Sequence, residues 1–236
     1  MDENTVIERL IRFGLTRQEA VIYICLLRGR EWTGYEIAKQ TGISRSNAYN
    51  GLAALTEKGA AYRMEGATSK YLAVSIHEFC SNRIRNLDED RIFLEENLRE
   101  ENQETDGYIT IEGDKNILNK MQNMISHTEK RIYLAASSQI LKLLEPQLQE
   151  LAKHNRKLVL ITDQCDFPIQ AKVYPSQKEN GRVRLIVDSS YVLTGEYTGN
   201  SQDTCLYTGQ TNFVQVFKEA LSNEIKLIEL TGGEEK

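Results

Sequence analysis

Apolar residues recur at helical spacing in residues 45–58, and the preceding residues 35–43 have the pattern of a short helix that ends in a turn. Thr33 is available as the N-cap of the earlier segment, Gly42 stands where the chain must bend, and Ser44 is available as the N-cap of the later one. One face of the later segment is apolar at i, i+4 and i+7 spacing, through Ala48, Leu52 and Leu55. The pattern predicts two short helices joined by a tight turn, which is a helix-turn-helix.

The other face of the second predicted helix is polar near its N-terminus. A recognition helix presents its first turns to base edges and phosphates. We therefore predict that this face contacts double-stranded DNA. Its residues are Arg45, Ser46, Asn47, Tyr49 and Asn50.

Two short strands are predicted after Gly59, at residues 60–63 and 70–74, on either side of a turn-forming segment. A β-hairpin in this place is the wing of a winged helix. Arg63 and Lys70 flank its tip. We predict that both contact phosphate groups, which adds affinity but carries no sequence information.

A long helix is predicted from Ser75, because no proline or glycine follows until Gly107. Ser75 and Glu78 form a capping-box signature at its start. An apolar stripe, interrupted by Arg91, repeats at alternating four- and three-residue spacing, and its predicted dimer contacts are Ile84, Leu87, Leu94 and Leu98. We predict that a second copy covers this stripe as a short coiled coil; the alternative is packing on the chain's own C-terminal domain.

Beyond Gly107, short strands alternate with amphipathic helices, which is the order of an α/β domain. The predicted strands are residues 108–112, 131–136, 158–162, 183–187 and 191–194, with another near Leu206 and a terminal one at residues 226–230. The predicted helices are residues 116–126, 139–153 and 212–227, the last capped by Thr211. Residues 163–181 are predicted to form a polar loop.

The chain is therefore predicted to be an α+β multidomain protein. A winged helix-turn-helix occupies residues 1–75, a linking helix with coiled-coil spacing residues 76–105, and an α/β domain residues 106–236. A length of 236 residues with 40% hydrophobic content allows two cores. The acidic start differs from a signal peptide, and no apolar run approaches the ~18 residues of a membrane span, so we expect a cytoplasmic protein without a membrane partner.

Charge and cysteine content exclude further classes. The first 80 residues hold ten Lys and Arg against nine Asp and Glu, and the whole chain has a net charge of −5, so the broad basic surface of a strong nucleic-acid binder is missing. DNA binding would depend on local positive charge and on two copies. The four cysteines lie far apart without a C-x-x-C pair, so no metal site, disulfide or cofactor is predicted. A redox switch through Cys165 or Cys205 is the less favoured alternative.

Several motifs of the N-terminal third resemble those of TrmB-family transcriptional regulators. They lie at residues 13–27, 34–38, 44–50 and 55–59 and at Lys70-Tyr71. The Gly-Leu-Thr-x-x-Glu-Ala opening is the most specific, because a generic helix-turn-helix does not require it. The resemblance implies a winged-helix domain that regulates transcription by binding DNA. We expect a homodimer on an inverted-repeat operator.

The C-terminal part resembles the phospholipase-D-like domain of many shorter TrmB regulators, in Gly113 and residues 130–137, 157–163 and 184–188. Catalytic members need an H-x-K-x-x-x-x-D motif, in which the histidine attacks phosphorus. Counting back from Asp188 gives Gly181 and Val183 instead, and none of His77, His127 and His154 has a lysine two residues later. We therefore predict a non-enzymatic regulator. The alternatives are a divergent phosphodiesterase and a protein-interaction adaptor that does not bind DNA.

An effector pocket, where one exists, is expected at the carboxyl ends of the parallel strands, since open α/β sheets bind ligands there. The candidate residues for an unknown small-molecule effector are Ser137, Ser138, Asp163 and Asp166. In the alternative, the serines only cap a helix and Asp163 only starts a turn.

Overall fold

The computed structural model describes residues 2–29, 31–99, 107–176 and 181–231. The chain forms two compact units, Met1–Glu101 and Asn102–Lys236. Each unit has its own hydrophobic core. Among the described helices, none is long and apolar enough to cross a membrane.

The first unit is built around helix α2, which is surrounded by other elements and fully buries Ile22, Tyr23 and Leu26. The elements are α1 (Glu3–Arg12), α2 (Arg17–Arg28), β1 (Trp32–Thr33), α3 (Gly34–Thr41), α4 (Arg45–Glu57), β2 (Ala61–Met64), β3 (Lys70–Ala73) and α5 (Ile76–Asn97). The strands form an antiparallel sheet in the order β1-β3-β2. The Tyr23 hydroxyl donates to the Val74 carbonyl at 2.8 Å and so ties α2 to the end of the hairpin. This is a winged helix-turn-helix, as predicted.

Helix α5 starts as predicted, because the Ser75 hydroxyl accepts the backbone N–H of Glu78 at 3.2 Å. The predicted capping box is only half formed, because the Glu78 carboxylate accepts the Tyr62 hydroxyl at 3.1 Å and not the backbone N–H of Ser75. Phe79 is the one buried residue of this helix, and its ring packs against Phe13 and Tyr23 with centroids 6.5 and 5.5 Å apart. The N-terminal turn of α5 therefore belongs to the winged-helix core.

The predicted helical stripe is too long at its C-terminal end. Leu98 is the C-cap of α5, with an extended backbone at φ −99° and ψ 125°, so it does not continue the helical seam. Glu95 and Glu96 lie in the last turn, which has no basic residue, and their charge opposes the helix dipole. The rest of the predicted linking helix, residues 100–105, lies outside the described residues.

The second unit is a seven-stranded mixed sheet with helices on both faces. Its elements are β4 (Tyr108–Glu112), α6 (Asp114–Ser126), β5 (Arg131–Ala135), α7 (Ser138–Lys153), β6 (Lys157–Thr162), β7 (Lys172–Pro175), β8 (Arg182–Val187), β9 (Tyr191–Glu196), β10 (Thr204–Thr208) and α8 (Thr211–Thr231). The strand order is β4-β10-β9-β8-β5-β6-β7, with β5, β6 and β7 parallel and the other pairs antiparallel. Because side chains alternate along strands, α6 and α7 cover one face and α8 covers the other.

Two predictions for this unit are wrong. The predicted loop at residues 163–181 contains β7, an edge strand on which Tyr174 is buried and its neighbours are exposed, so apolar alternation did not indicate it. The predicted terminal strand at residues 226–230 belongs to α8, in which Val214, Leu221 and Ile228 continue one helical face against the sheet. Thr211, the predicted cap, is the first residue of that helix.

Candidate nucleic-acid interface

Local capping positions the two helices of the helix-turn-helix. The Thr33 hydroxyl accepts the backbone N–H of Glu36 at 3.3 Å, and the Glu36 carboxylate accepts the backbone N–H of Thr33 at 2.8 Å. This capping box starts α3. Gly42 then takes a left-handed conformation with φ 70°, which permits the sharp turn, and the Ser44 hydroxyl accepts the backbone N–H of Asn47 at 3.3 Å to start α4.

Helix α4 divides into a buried face and an exposed face. All five residues predicted to read DNA, Arg45, Ser46, Asn47, Tyr49 and Asn50, are exposed. Ala48, Leu52 and Leu55 are buried on the other side. Gly51 is buried too, and a Cβ there would lie 2.5 Å from Ile22 Cδ1. The helix is therefore held closely against α2 while its polar N-terminal half stays open for contact with a partner.

Two tyrosines border the exposed half of α4. The Arg45 guanidinium lies over the ring of Tyr35, 4.6 Å from its centroid. The ring of Tyr49 packs on the backbone of Gly34, where an added Cβ would come within 2.5 Å of it. The stacking restrains Arg45 before any partner binds, which lowers the entropic cost of ordering it. The sequence pattern did not predict this role of Tyr35. The signal that could have indicated it is an aromatic residue at an exposed position of a capped helix.

The C-terminal end of α4 is anchored to α2. Gly59 takes φ 71° and donates to Thr56 O, while Ala60 donates to Leu55 O, which is the Schellman pattern. Lys58 Nζ lies 2.6 Å from the buried Glu19 carboxylate. Burial alone would raise the pKa of Glu19, but hydrogen bonds from Lys58 and Thr16 outweigh it and lower the pKa. The charge of Lys58 is therefore paired within the domain, where it holds the end of α4 to α2.

The wing does not present its two basic residues on one surface. Arg63 pairs in register with Tyr71, whereas Lys70 pairs with Met64, so their side chains leave opposite faces of the hairpin. Lys70 Nζ lies 2.9 Å from Glu31 Oε2, and this hydrogen bond raises the pKa of Lys70. Arg63 donates to the Ser69 hydroxyl at 3.1 Å. Part of the positive charge available to phosphate is therefore held by Glu31.

In the second unit, two of the effector candidates meet at the carboxyl ends of β5 and β6. The Asp163 carboxylate accepts the backbone N–H of Ser138 at 2.7 Å and its hydroxyl at 2.9 Å. The backbone hydrogen bond is the main cause that lowers the pKa of Asp163. Ser137 is buried and makes no side-chain cap, and Asp166 pairs with Lys142 at 2.8 Å. These contacts give Ser138, Asp163 and Asp166 structural roles, and an effector role for any of the four residues stays a prediction.

The position seven residues before Asp188, where the catalytic motif has its histidine, has little room for a side chain. Gly181 is buried at φ 89°, and a Cβ there would lie 2.8 Å from Thr198 Cγ2. A nucleophilic histidine at this point would therefore be strained. Among the described residues, no group of three or more His, Cys, Asp and Glu side chains is placed to hold a metal ion.

Residues 10–77 match the family model described as "Sugar-specific transcriptional regulator TrmB". The first unit contains a TrmB-family domain. This domain includes α3, α4 and the whole wing. The chain is 25% identical over 243 residues to "Uncharacterized protein YrhO" of Bacillus subtilis, covering 98% of this chain and 87% of that protein. It is 22% identical over 174 residues to "HTH-type sugar sensing transcriptional regulator TrmBL1" of Pyrococcus furiosus, covering 72% of this chain but only half of that protein.

Solved structures also match this chain, one of them over nearly its whole length and another over half of it. The archaeal chromatin protein TrmBL2, whose structure "shows a novel mode of DNA binding", matches with a TM-score of 0.45 and 20% identity over 95% of this chain and 98% of that one. NucT from Helicobacter pylori matches with a TM-score of 0.38 and 14% identity over 50% of this chain and 95% of that one.

Proposed function

We propose that the protein is a sequence-specific DNA-binding transcriptional regulator without enzymatic activity. The observation that carries the proposal is the exposed polar half of α4, which lies inside the segment that matches the TrmB family model. A helix of this kind reads base edges in the major groove through a few side chains near its N-terminus. The similarity to TrmBL1, a sugar-sensing transcriptional regulator, supports the same role.

The regulator acts as a homodimer on an inverted-repeat operator in this proposal. A domain with nearly balanced charge gains little from general phosphate attraction, so two copies are needed for tight binding. The exposed stripe of α5, through Ile84, Leu87 and Leu94, supplies an apolar surface for the second copy. A two-fold dimer would place two recognition helices on half-sites one helical turn, or a multiple of it, apart.

A second candidate function is a protein-interaction adaptor. One face of the hairpin exposes Tyr62, Met64 and Leu72, each between 37% and 52% accessible, around Lys70, which is paired with Glu31. Such a surface suits a protein partner better than a phosphate backbone. Selection of bound genomic fragments separates the two functions, because an adaptor selects no DNA sequence.

The test is selection of bound genomic fragments by the purified protein, followed by affinity measurement at physiological salt. Arg45→Ala should weaken binding to the selected operator about tenfold to a hundredfold, because a base contact from Arg contributes about 1–3 kcal/mol. Arg12→Ala, which removes an exposed arginine from α1, is the matched control and should leave affinity unchanged. Recovery of random fragments, or an Arg45→Ala variant as tight as wild type, would refute the recognition-helix assignment.

The wing should contribute affinity without specificity. Arg63→Gln should reduce the slope of log affinity against log salt by about one, equally for operator and unrelated DNA, because it removes one phosphate contact. Lys70→Gln should reduce the slope by less, because Glu31 already holds part of the Lys70 charge. Glu31→Gln should have the opposite effect, since it releases Lys70 from its ion pair. Binding curves at several salt concentrations measure both. Unchanged slopes in all three variants would remove the wing from the interface.

A further inference from the structure

A partly enclosed cavity of about 230 Å³ lies between α8 and the sheet of the second unit. Its floor is formed by Tyr133 of β5 and Ile186 of β8, which are direct neighbours in the sheet. Its roof is one face of α8 at i, i+3, i+4 and i+7 spacing, with Lys218, Leu221, Ser222 and Ile225. The cavity is on the face of the sheet that α8 covers. It is separate from the effector candidates at the carboxyl ends of the strands.

The walls of this cavity are mainly apolar, yet three polar groups line it. Lys218, Ser222 and the Tyr133 hydroxyl have no hydrogen-bond or ion-pair partner among the residues that the structure describes. Lys218 and Tyr133 are also half-buried. An apolar cavity with a few convergent polar groups is the usual form of a small-molecule site.

The charge of Lys218 is not compensated by the acids of its own helix. Glu224 is engaged by Arg184, with 2.6 Å between Arg184 Nη2 and Glu224 Oε2. Glu219 accepts a hydrogen bond from the Gln215 amide at 2.7 Å. The ammonium of a half-buried lysine without a carboxylate partner is stabilised by an anion, and the anion must fit beside apolar side chains.

We propose that this cavity binds a small organic carboxylate with an apolar body, of the size of a one-ring or short branched acid. The carboxylate would pair with Lys218 and accept hydrogen bonds from the Ser222 and Tyr133 hydroxyls. The apolar body would cover Ile186, Leu221 and Ile225. The volume lies below the range of about 300–1,000 Å³ for drug-sized ligands, which sets the size of the acid. Among the described residues that line the cavity, Lys218 is the one cation, which favours one negative charge over a phosphate ester.

The test uses the full chain with phenylacetate and 4-methylpentanoate as probes, in thermal unfolding and isothermal titration. A probe that binds only the folded protein raises the unfolding temperature with its concentration. Lys218→Met should weaken phenylacetate binding about tenfold or more, because it removes a charge-assisted hydrogen bond but keeps the length of the side chain. Lys226→Met, on the exposed side of the same helix, is the matched control and should bind like wild type. Phenylacetamide, which lacks the charge, should bind wild type about tenfold or more weakly than phenylacetate.

Two further variants keep the test decisive if Lys218→Met folds poorly. Lys218→Arg should retain binding, and Ser222→Leu should close the cavity and abolish it. The proposal is overturned if wild type binds neither acid at millimolar concentration, or if the folded Lys218→Met or Ser222→Leu variant binds phenylacetate as tightly as wild type. All readouts are on the protein itself, so the outcome does not depend on DNA binding.

Discussion

Replacing Leu87 and Leu94 together by Arg should convert the protein into monomers and lower operator affinity by on the order of a hundredfold or more. Both leucines are about half exposed in the single chain, at 52% and 50%. In the proposed dimer the substitutions would bury four charges without partners, at a cost of several kcal/mol that a short coiled coil cannot offset. Operator affinity falls with the dimer because two linked half-site readers bind far more tightly than one.

Arg91 does not contradict pairing along this stripe. Its guanidinium forms ion pairs with Asp88 and Glu95 at 2.8 Å within α5. The charge is therefore compensated on its own helix, and the aliphatic part of the side chain is available to pack against a second copy.

Sedimentation equilibrium measures the assembly state, with circular dichroism as the check on folding. The control is Ile92→Arg, which adds one positive charge per chain at an exposed apolar position outside the four-and-three stripe and should leave a dimer intact. A well-folded double variant that still sediments as a dimer would move the interface away from α5.

The helix-turn-helix could be predicted from the sequence because its determinants are local. Thr33, Gly42 and Ser44 act within four residues of the positions they cap or turn. The apolar spacing of Leu52 and Leu55 then decides which face of α4 is buried. The exposed face, with its candidate contact residues, follows from the same pattern.

Other elements could not be predicted because their cause lies elsewhere in the chain. Strand β7 forms because β6 provides a partner edge, and the strand itself has little apolar alternation. The apolar run at the end of α8 has β-forming residues, but Ile225 and Ile228 continue a helical face that packs on the sheet. Tertiary packing overrides local propensity in both cases.

Some contacts that occupy predicted site residues also join residues far apart in the sequence. Lys70 and Glu31 are 39 positions apart, and Ser138 and Asp163 are 25 apart. No periodicity reports such pairs. The sequence predicts which side chains face outward, whereas the structure shows which of them already have a partner.

Asp188→Asn should destabilise the second unit by about 2 kcal/mol at neutral pH. The Asp188 carboxylate accepts the backbone N–H groups of Glu129, Lys130 and Arg131 at 2.9, 2.7 and 2.8 Å. It thereby fastens the β8–β9 turn to the start of β5. Hydrogen bonds to a charged acceptor contribute about 1.5–3 kcal/mol each, but these amides are exposed, so water replaces part of the loss. Asp188 takes φ 52°, a conformation that Asn tolerates, so the variant tests the carboxylate and not the turn.

The loss of stability caused by Asp188→Asn should become smaller as the pH falls. Burial alone would raise the pKa of Asp188, but the three backbone hydrogen bonds outweigh it and lower the pKa. A folded-state pKa below the unfolded value of about 3.9 gives stability that is present above that value and is lost as the pH falls through the folded pKa. The difference in unfolding free energy between wild type and Asp188→Asn should therefore be full at pH 7 and should shrink below about pH 4.

Urea unfolding followed by circular dichroism and by amide exchange at residues 129–131 measures this difference. Trp32, the single tryptophan, lies in the first unit, so its fluorescence transition is an internal control that should stay where it is. Ser190→Ala, two residues away in the same turn, should have little effect. An Asp188→Asn variant as stable as wild type at pH 7, or a difference in unfolding free energy that is the same at pH 7 and pH 3, would show that the carboxylate does not hold β5 and the turn together.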